Sequence, residues 1–212
     1  MNMNDSSRLA RLSVLALLTA SPSIGWGGEA AAYIHVTIES GLQLICDPLQ
    51  APDSSVAAVL PGPPLVAGTT LYGFASGGFT TNTLVTDATG GLSWTDPQQA
   101  LAPGGGAFLL SPTNQPVLVT FVGQVPLGAV TNVIPAGLSL VSGLQGVQGR
   151  LHTDMGLMLA PFDNVYWWEG GKYVVYTQLP DGTWYPAEPV IGLGEAFFID
   201  AAQGTNWVTH LQ

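Results

Sequence analysis

Asp163-Asn-Val-Tyr-Trp-Trp-Glu-Gly-Gly-Lys-Tyr-Val-Val-Tyr-Thr177 and, earlier in the chain, Thr70-Leu-Tyr-Gly-Phe-Ala-Ser-Gly-Gly-Phe-Thr-Thr-Asn-Thr83 are two versions of one cassette. Tyr72 matches Tyr166, Phe74 matches Trp168, Phe79 matches Tyr173 and Thr83 matches Thr177, all at one constant offset. An aromatic, one residue, a second aromatic, a glycine-bearing turn and a third aromatic spell a β-hairpin. Side chains alternate along a strand, so Tyr72 and Phe74 share a face, and the glycine pair supplies the positive φ of a tight turn.

The match extends outward in both directions. Upstream, Gly41-Leu-Gln-Leu-Ile45 has a counterpart in Gly137-Leu-Ser-Leu-Val141, and each follows an alternating segment, Tyr33–Glu39 and Gly128–Ile134. Downstream, a polar glycine turn leads to Trp94 in one copy and Trp184 in the other. Glycine-bearing turns then feed the apolar runs 101–110 and 191–199, and the last strands are expected over 117–122 and 206–210. The length differences between the copies fall where loops are expected. Val56–Leu60 and His152–Ala160 each have room for one short helical turn, the first ending before Pro61 as proline's constraint on its predecessor favours. Short strands punctuated by Gly and Pro predict an all-β chain. Two tandem sandwich- or barrel-like modules of about 90 residues are expected, 33–123 and 124–212, in an arrangement open to a pseudo-two-fold relation.

Composition narrows the function. Hydrophobic residues make up 47% of 212 and charged residues 8%, against about 25% charged in ordinary soluble domains, so the chain folds and its surface is short of charge. The formal net charge is −10 with only four Lys and Arg. Two of these, Arg8 and Arg11, lie in residues 1–30, which read as a signal peptide: a basic start, the apolar run Leu12–Ala20 and a small-residue cleavage box at Gly28-Glu-Ala30, with Leu18-Thr-Ala20 as the alternative. That run is shorter than the roughly 20 apolar residues a spanning helix needs, so no membrane span is expected in the mature chain. Arg150 and Lys172 are left to meet phosphates, which argues against nucleic acid as a partner.

No catalytic constellation is legible. Gly104-Gly-Gly106 and Gly192-Leu-Gly-Glu195 precede strands and lack the helix that a dinucleotide fingerprint opens, so they read as turns. His35, His152 and His210 have no metal-ligand spacing and no matched nucleophile. Asp96, Glu188, Glu195 and Asp200 read as turn carboxylates, because Glu188 and Glu195 match Gln98 and Gly105 in the other copy. The single cysteine, Cys46, matches Ser142 and reads as a small buried residue. No metal and no cofactor is expected.

The order Gly-x-x-Leu-Ile, then Tyr-x-aromatic with a glycine turn and a further aromatic, then Leu-x-Pro-Gly-x-Gly-x-Phe resembles a short module of secreted and surface-attached bacterial proteins of the planctomycete and verrucomicrobium type. Gly41–Ile45, Tyr72, Phe74, Phe79 and Leu101–Phe108 carry the resemblance, and the second copy departs from it at Leu193–Ala196. The resemblance implies a β-rich fold and an extracellular or cell-surface location, and it brings no catalytic residue.

The expectation is therefore a secreted, non-enzymatic structural or interaction protein of the cell surface, an extracellular matrix or a filament, whose partner is itself or another surface protein. The alternative is a carbohydrate-binding module. Trp167 and Tyr185 have no aromatic counterpart, aligning with Gly73 and Thr95; with Trp184 they form either an exposed patch for a glycan or a protein neighbour, Trp167 standing beside Tyr185, or a contact between the two modules.

Overall fold

The computed structural model describes residues 29–75 and 77–211. The expected signal peptide lies outside the described residues except for Glu29 and Ala30, whose backbone opens the first strand. The first half consists of β1 (Glu29–Ile38), β2 (Gly41–Ile45), the single helical turn α1 (Val56–Val59), β3 (Thr70–Ala75), β4 (Gly78–Thr86), β5 (Leu92–Trp94), β6 (Ala107–Ser111) and β7 (Val117–Pro126). The second half continues with β8 (Gly128–Ile134), β9 (Gly137–Val141), β10 (Gly149–Arg150), β11 (Asn164–Glu169) and β12 (Lys172–Gln178). It ends with β13 (Trp184–Tyr185), β14 (Val190–Ile191), β15 (Phe197–Ala201) and β16 (Thr205–Leu211). The chain is all-β, its sheets are antiparallel, and none closes into a barrel. The segment 152–160, expected to hold a helical turn, contains turns and no helix. Among the described residues no helix is long and apolar enough to cross a membrane.

The sheet orders correspond strand for strand. The first sheet runs β2-β6-β3-β4-β5 and the second β9-β15-β11-β12-β13, while β1 pairs with β7 and β8 with β16 as two-stranded ribbons. The cassettes form the hairpins β3–β4 and β11–β12, in registers that oppose Phe74 to Phe79 and Trp168 to Tyr173. Even the short pairing of Arg150 with Val190 has an equivalent, a lone bridge between Ser55 and Ala100.

Each five-stranded sheet buries both faces. One face of the first sheet, with Ile45, Leu71, Leu84, Trp94 and Leu109, closes over Val56, Val59, Leu60 and Leu65 and over the inner face of the β1–β7 ribbon. The second sheet does the same with Val165, Tyr176, Trp184 and Phe197 over Leu151, Met155, Leu157 and Trp207. The opposite faces meet each other through Leu44, Cys46, Phe108, Leu140, Ala196 and Phe198, with Tyr72, Phe74, Tyr166 and Trp168 packed around them. Burial on two faces explains why β6 and β15 read as nearly unbroken apolar runs.

Contacts between the facing sheets come in reciprocal pairs, as in an isologous interface. Phe74 meets Phe198 edge-on at 5.1 Å and Trp168 meets Phe108 edge-on at 5.3 Å. Phe79 lies 6.4 Å from Phe198, and Tyr173 lies 6.5 Å from Phe108. The Cys46 N–H donates to the Gly194 carbonyl, and the Ser142 N–H to the Gly104 carbonyl, both at 2.9 Å. Phe108 and Phe198 face each other at 6.1 Å in the middle of the pattern.

Gly106 lies opposite Ala196 in this interface. A Cβ on Gly106 would collide with the Ala196 Cβ and lie 3.1 Å from the Ile45 carbonyl oxygen, neither of which has a rotamer to escape into. Gly106→Ala is expected to destabilise by about 1–3 kcal/mol through overpacking. Ala196→Gly in the same chain is expected to restore most of the loss. Denaturant melts of the single and double variants decide it: a single variant within 0.5 kcal/mol of the parent, on the order of an ordinary surface change, would show that the sheets do not touch closely here.

Candidate functional site

The residues singled out as a patch are placed by β-register. Residues directly opposite in an antiparallel pair share a face. Trp167 opposes Val174, Gln178 opposes Trp184, and Thr177 opposes Tyr185. Alternation along β12 therefore puts Trp167 and Trp184 on the face that covers the second core and Tyr185 on the other face. Trp167 is half-buried, packed against that core and stacked on Phe197 at 6.4 Å and 27°. Trp167 therefore neither stands exposed beside Tyr185 nor packs between the two halves, because its strand face lies over the second half's own core. Trp184 is buried at 8% exposure, whereas Tyr185 is 68% exposed. The structure does not bring the three onto one surface.

The recurring aromatics divide by role. Trp94 sits in the first core with its Nε1–H donated to the Leu60 carbonyl at 2.8 Å. Tyr72, Phe74, Tyr166 and Trp168 join the two sheets, and Phe79 and Tyr173 form the rim of that contact. Trp168 also donates its Nε1–H to the Leu42 carbonyl at 2.9 Å, tying β11 to edge strand β2 of the other sheet. Inter-sheet packing thus falls to aromatics that recur, while the non-recurring Trp167 and Tyr185 take no part in it.

Polar chemistry at the candidate catalytic positions is structural in form. Both Glu188 oxygens are occupied, Oε1 by the His152 and Thr153 N–H groups at 2.7 and 2.6 Å and Oε2 by the Thr153 hydroxyl. Although burial opposes it, this set holds the Glu188 carboxyl below its ordinary range. Glu195 accepts the Gly192 N–H, and its burial raises its carboxyl. Buried Cys46 contacts the Glu195 carbonyl at 3.5 Å, and desolvation pushes its thiol up to about 12, leaving it protonated at neutral pH. A protonated, enclosed thiol is a poor nucleophile. His35 bonds the Thr120 hydroxyl and His152 lies against the Leu157 carbonyl. Among the described residues no group of three His, Cys, Asp or Glu is placed to hold a metal. Asp163 is more than a turn residue: one oxygen accepts the Ala160 N–H and the other the Ala202 N–H, at 2.9 and 2.8 Å.

One surface open to a neighbour is the β1–β7 ribbon. Its inner residues Ile34, Val36, Ile38, Val119, Phe121 and Val125 join the first core. Its outer face presents Tyr33, Leu118 and Val122, each about half-exposed, with Tyr33 directly opposite Val122. Among the described residues no strand pairs with the other edge of β1. Across β1 and β7 there is no Lys or Arg, and Glu29 is the one carboxylate. The outer edges of the five-stranded sheets at β5 and β13 are only three and two residues long. No family model matches the chain, and no curated protein and no solved structure matches it either.

Proposed function

We propose that this chain is a tandem duplication of one β-module, secreted to the bacterial cell surface, an extracellular matrix or a filament, where it works without catalysis by associating with further copies of itself. The observation that carries this reading is the ten-residue strand β1, paired on one side only among the described residues and free of Lys and Arg. Open edges are ordinarily guarded by lysines, prolines or bulges, since a row of free N–H and C=O groups templates another strand. Strand addition at β1 would continue the ribbon, and the apolar residues Tyr33, Leu118 and Val122 would be covered in the same step. The apolar run Leu12–Ala20 behind two arginines supports export, and the small number of charges supports a surface that associates.

Light scattering coupled to chromatography, followed by electron microscopy of the purified secreted form, tests the reading. Concentration-dependent multimers with a regular repeat are expected. Thr37→Lys, on the outward face of β1, is expected to abolish them and to leave the melting temperature within about 2 °C, as surface changes usually do. A parent protein that stays monomeric at high concentration, or a Thr37→Lys variant that assembles unchanged, would remove β1 association as the function.

A further inference from the structure

We infer that the second half carries a binding site for a neutral, extended oligosaccharide, laid across the strands of its five-stranded sheet. The site is one cross-strand row. Asp200 on β15 opposes Asn164 on β11, Asn164 opposes Thr177 on β12, and Thr177 opposes Tyr185 on β13. Directly opposed residues share a face, and this face is that of Phe198 and Tyr166 rather than that of the second core. The row lies two residues along the strands from those rings, at the margin of the contact with the first sheet, and it is open to solvent. Tyr185 is 68% exposed, Asp200 is exposed, and Asn164 and Thr177 are half-buried.

The first half builds the same row without this chemistry. Leu110 opposes Thr70 and Thr70 opposes Thr83, with Thr95 next on β5. Leu110 thus stands in the place of Asp200, and Thr95 in the place of Tyr185. The Thr95 hydroxyl is committed internally, donating to Asn82 Oδ1 at 2.9 Å and accepting the Thr83 N–H at 3.0 Å. A sheet of this design therefore folds without a carboxylate or a phenol at these two positions. Their presence in the second half answers to something outside the sheet.

Each member of the row offers what a sugar needs. Asp200 stands on a strand, not in the turn expected for it, and its carboxylate receives no hydrogen bond from the described residues. A free carboxylate has about four lone-pair sites and can take two neighbouring hydroxyls at once. Asn164 is held in one orientation: its Oδ1 accepts the Thr177 hydroxyl at 2.7 Å, and its Nδ2 donates to the Phe162 carbonyl at 3.1 Å. One N–H and one lone pair of that amide are left for a ligand. Tyr185 ends the row with a flat ring and a phenol, an apolar body with a polar tip on which a pyranose can lay its C–H face.

Exposed hydrocarbon borders these polar groups. Leu138 opposes Asp200 on β9, Val175 follows Thr177 on the same face of β12, and Phe162 stands exposed where the first half has Gly68. Few precisely placed polar groups amid apolar surface are the general form of a small-ligand site. Gln178, in the place of Leu84, and the unpartnered indole N–H of Trp184 lie on the buried face and take no part.

Spacing and charge limit the occupant. Neighbouring strands lie about 4.8 Å apart, so Asp200 and Tyr185 are roughly 14 Å from each other, the reach of two to three sugar rings in an extended chain. An open sheet face suits the flat ribbon of a β-1,4-linked chain better than a coiled one. No Lys or Arg stands in the row, and Asp200 would repel an acidic sugar. The probes are cellotriose, xylotriose and β-1,4-mannotriose, with maltotriose as the coiled control and trigalacturonate as the acidic one, titrated calorimetrically into the full secreted chain. At least one of the three flat probes is expected to bind saturably at millimolar or lower concentration, and both controls at least tenfold more weakly. Asp200→Leu and Tyr185→Thr install the residues of the first half, and each is expected to fold and to weaken binding about tenfold, on the order of one hydrogen bond lost. Thr37→Lys, at the β1 edge, is expected to bind as the parent does, since the row is separate from the surface of self-association. No heat from any flat probe overturns the site, and undiminished binding by both row variants overturns its placement. A control that binds as tightly as the flat probes overturns the assigned ligand class.

Discussion

Phe108→Ala and Phe198→Ala are each expected to destabilise the protein by about 3–5 kcal/mol, the range for deleting a buried aromatic. The two rings are 5% and 2% exposed and belong to no single sheet's own core. Phe198 lies 5.1 Å from Phe74 and 6.1 Å from Tyr173, and Phe108 lies 5.3 Å from Trp168 and 6.1 Å from Phe79. The partner sets are reciprocal, so the two losses should be similar. The rings also touch each other at 6.1 Å, so the double variant should lose less than the sum. Removing both takes away the centre of the contact between the sheets, while each half keeps its separate core on the other face. The double variant is accordingly expected to unfold in two steps, where the parent unfolds in one. Urea denaturation followed by circular dichroism and by tryptophan fluorescence measures this. A loss below about 1 kcal/mol for either single variant, small for a core aromatic, would show that the sheets fold without needing one another's face.

Much of this fold is legible in local pattern. The cassette hairpins, the bounds of β2 and β9, and the opening of β8 all follow from alternation and glycine placement, because those signals act over a few residues. Alternation says that two side chains point opposite ways and leaves open which way is inward. In these sheets both ways are inward, so Trp167 is drawn onto Phe197 while Tyr166 and Trp168 go to the facing sheet. The pairing of β1 with β7 joins segments separated by most of a module, and no local pattern states it. That pairing nonetheless creates the long open edge on which the functional reading rests. The departures between the halves had a signal of their own: setting Gln178 against Leu84 and Phe162 against Gly68 extends the cassette alignment by a few positions at each end. The mismatch of a polar for an apolar residue, and of an aromatic for a glycine, is visible there without coordinates. The unpaired indole of Trp184 is not, since it depends on whether a carbonyl lies above it.

Stability is expected to rise as pH is lowered from 7.5 to about 4.5, by about 2 kcal/mol, which reverses the usual acid response. The cause is Asp47, 1% exposed, with one oxygen accepting the Leu49 N–H at 3.0 Å and the other unpartnered. Desolvation outweighs that hydrogen bond and raises the carboxyl from 3.8 to about 6. A raised folded pKa means that the native state binds the proton more tightly than the unfolded chain. Over the window from about 6 down to 3.8 the native state is therefore increasingly favoured, and the contribution is lost as pH climbs through 6. The roughly 1.5 pH units between about 6 and 4.5, at about 1.4 kcal/mol each, set the size of the effect. Glu195 is raised by burial as well and adds in the same direction. Below pH 4 the sign turns: Asp53, Asp87 and Asp181 are held low by hydrogen bonds to nearby Ser or Thr groups, and what they contribute disappears as they protonate. Cys46 stays protonated throughout and does not enter. Asp47→Asn keeps an acceptor for Leu49 and cannot ionise, so it should flatten the curve between pH 4.5 and 7.5 and match or exceed the parent at the alkaline end. Guanidinium titrations of both proteins at three pH values provide the comparison, and a parent more stable at 7.5 than at 4.5, or a variant with an undiminished slope, would show that Asp47 reaches solvent and ionises in the folded state.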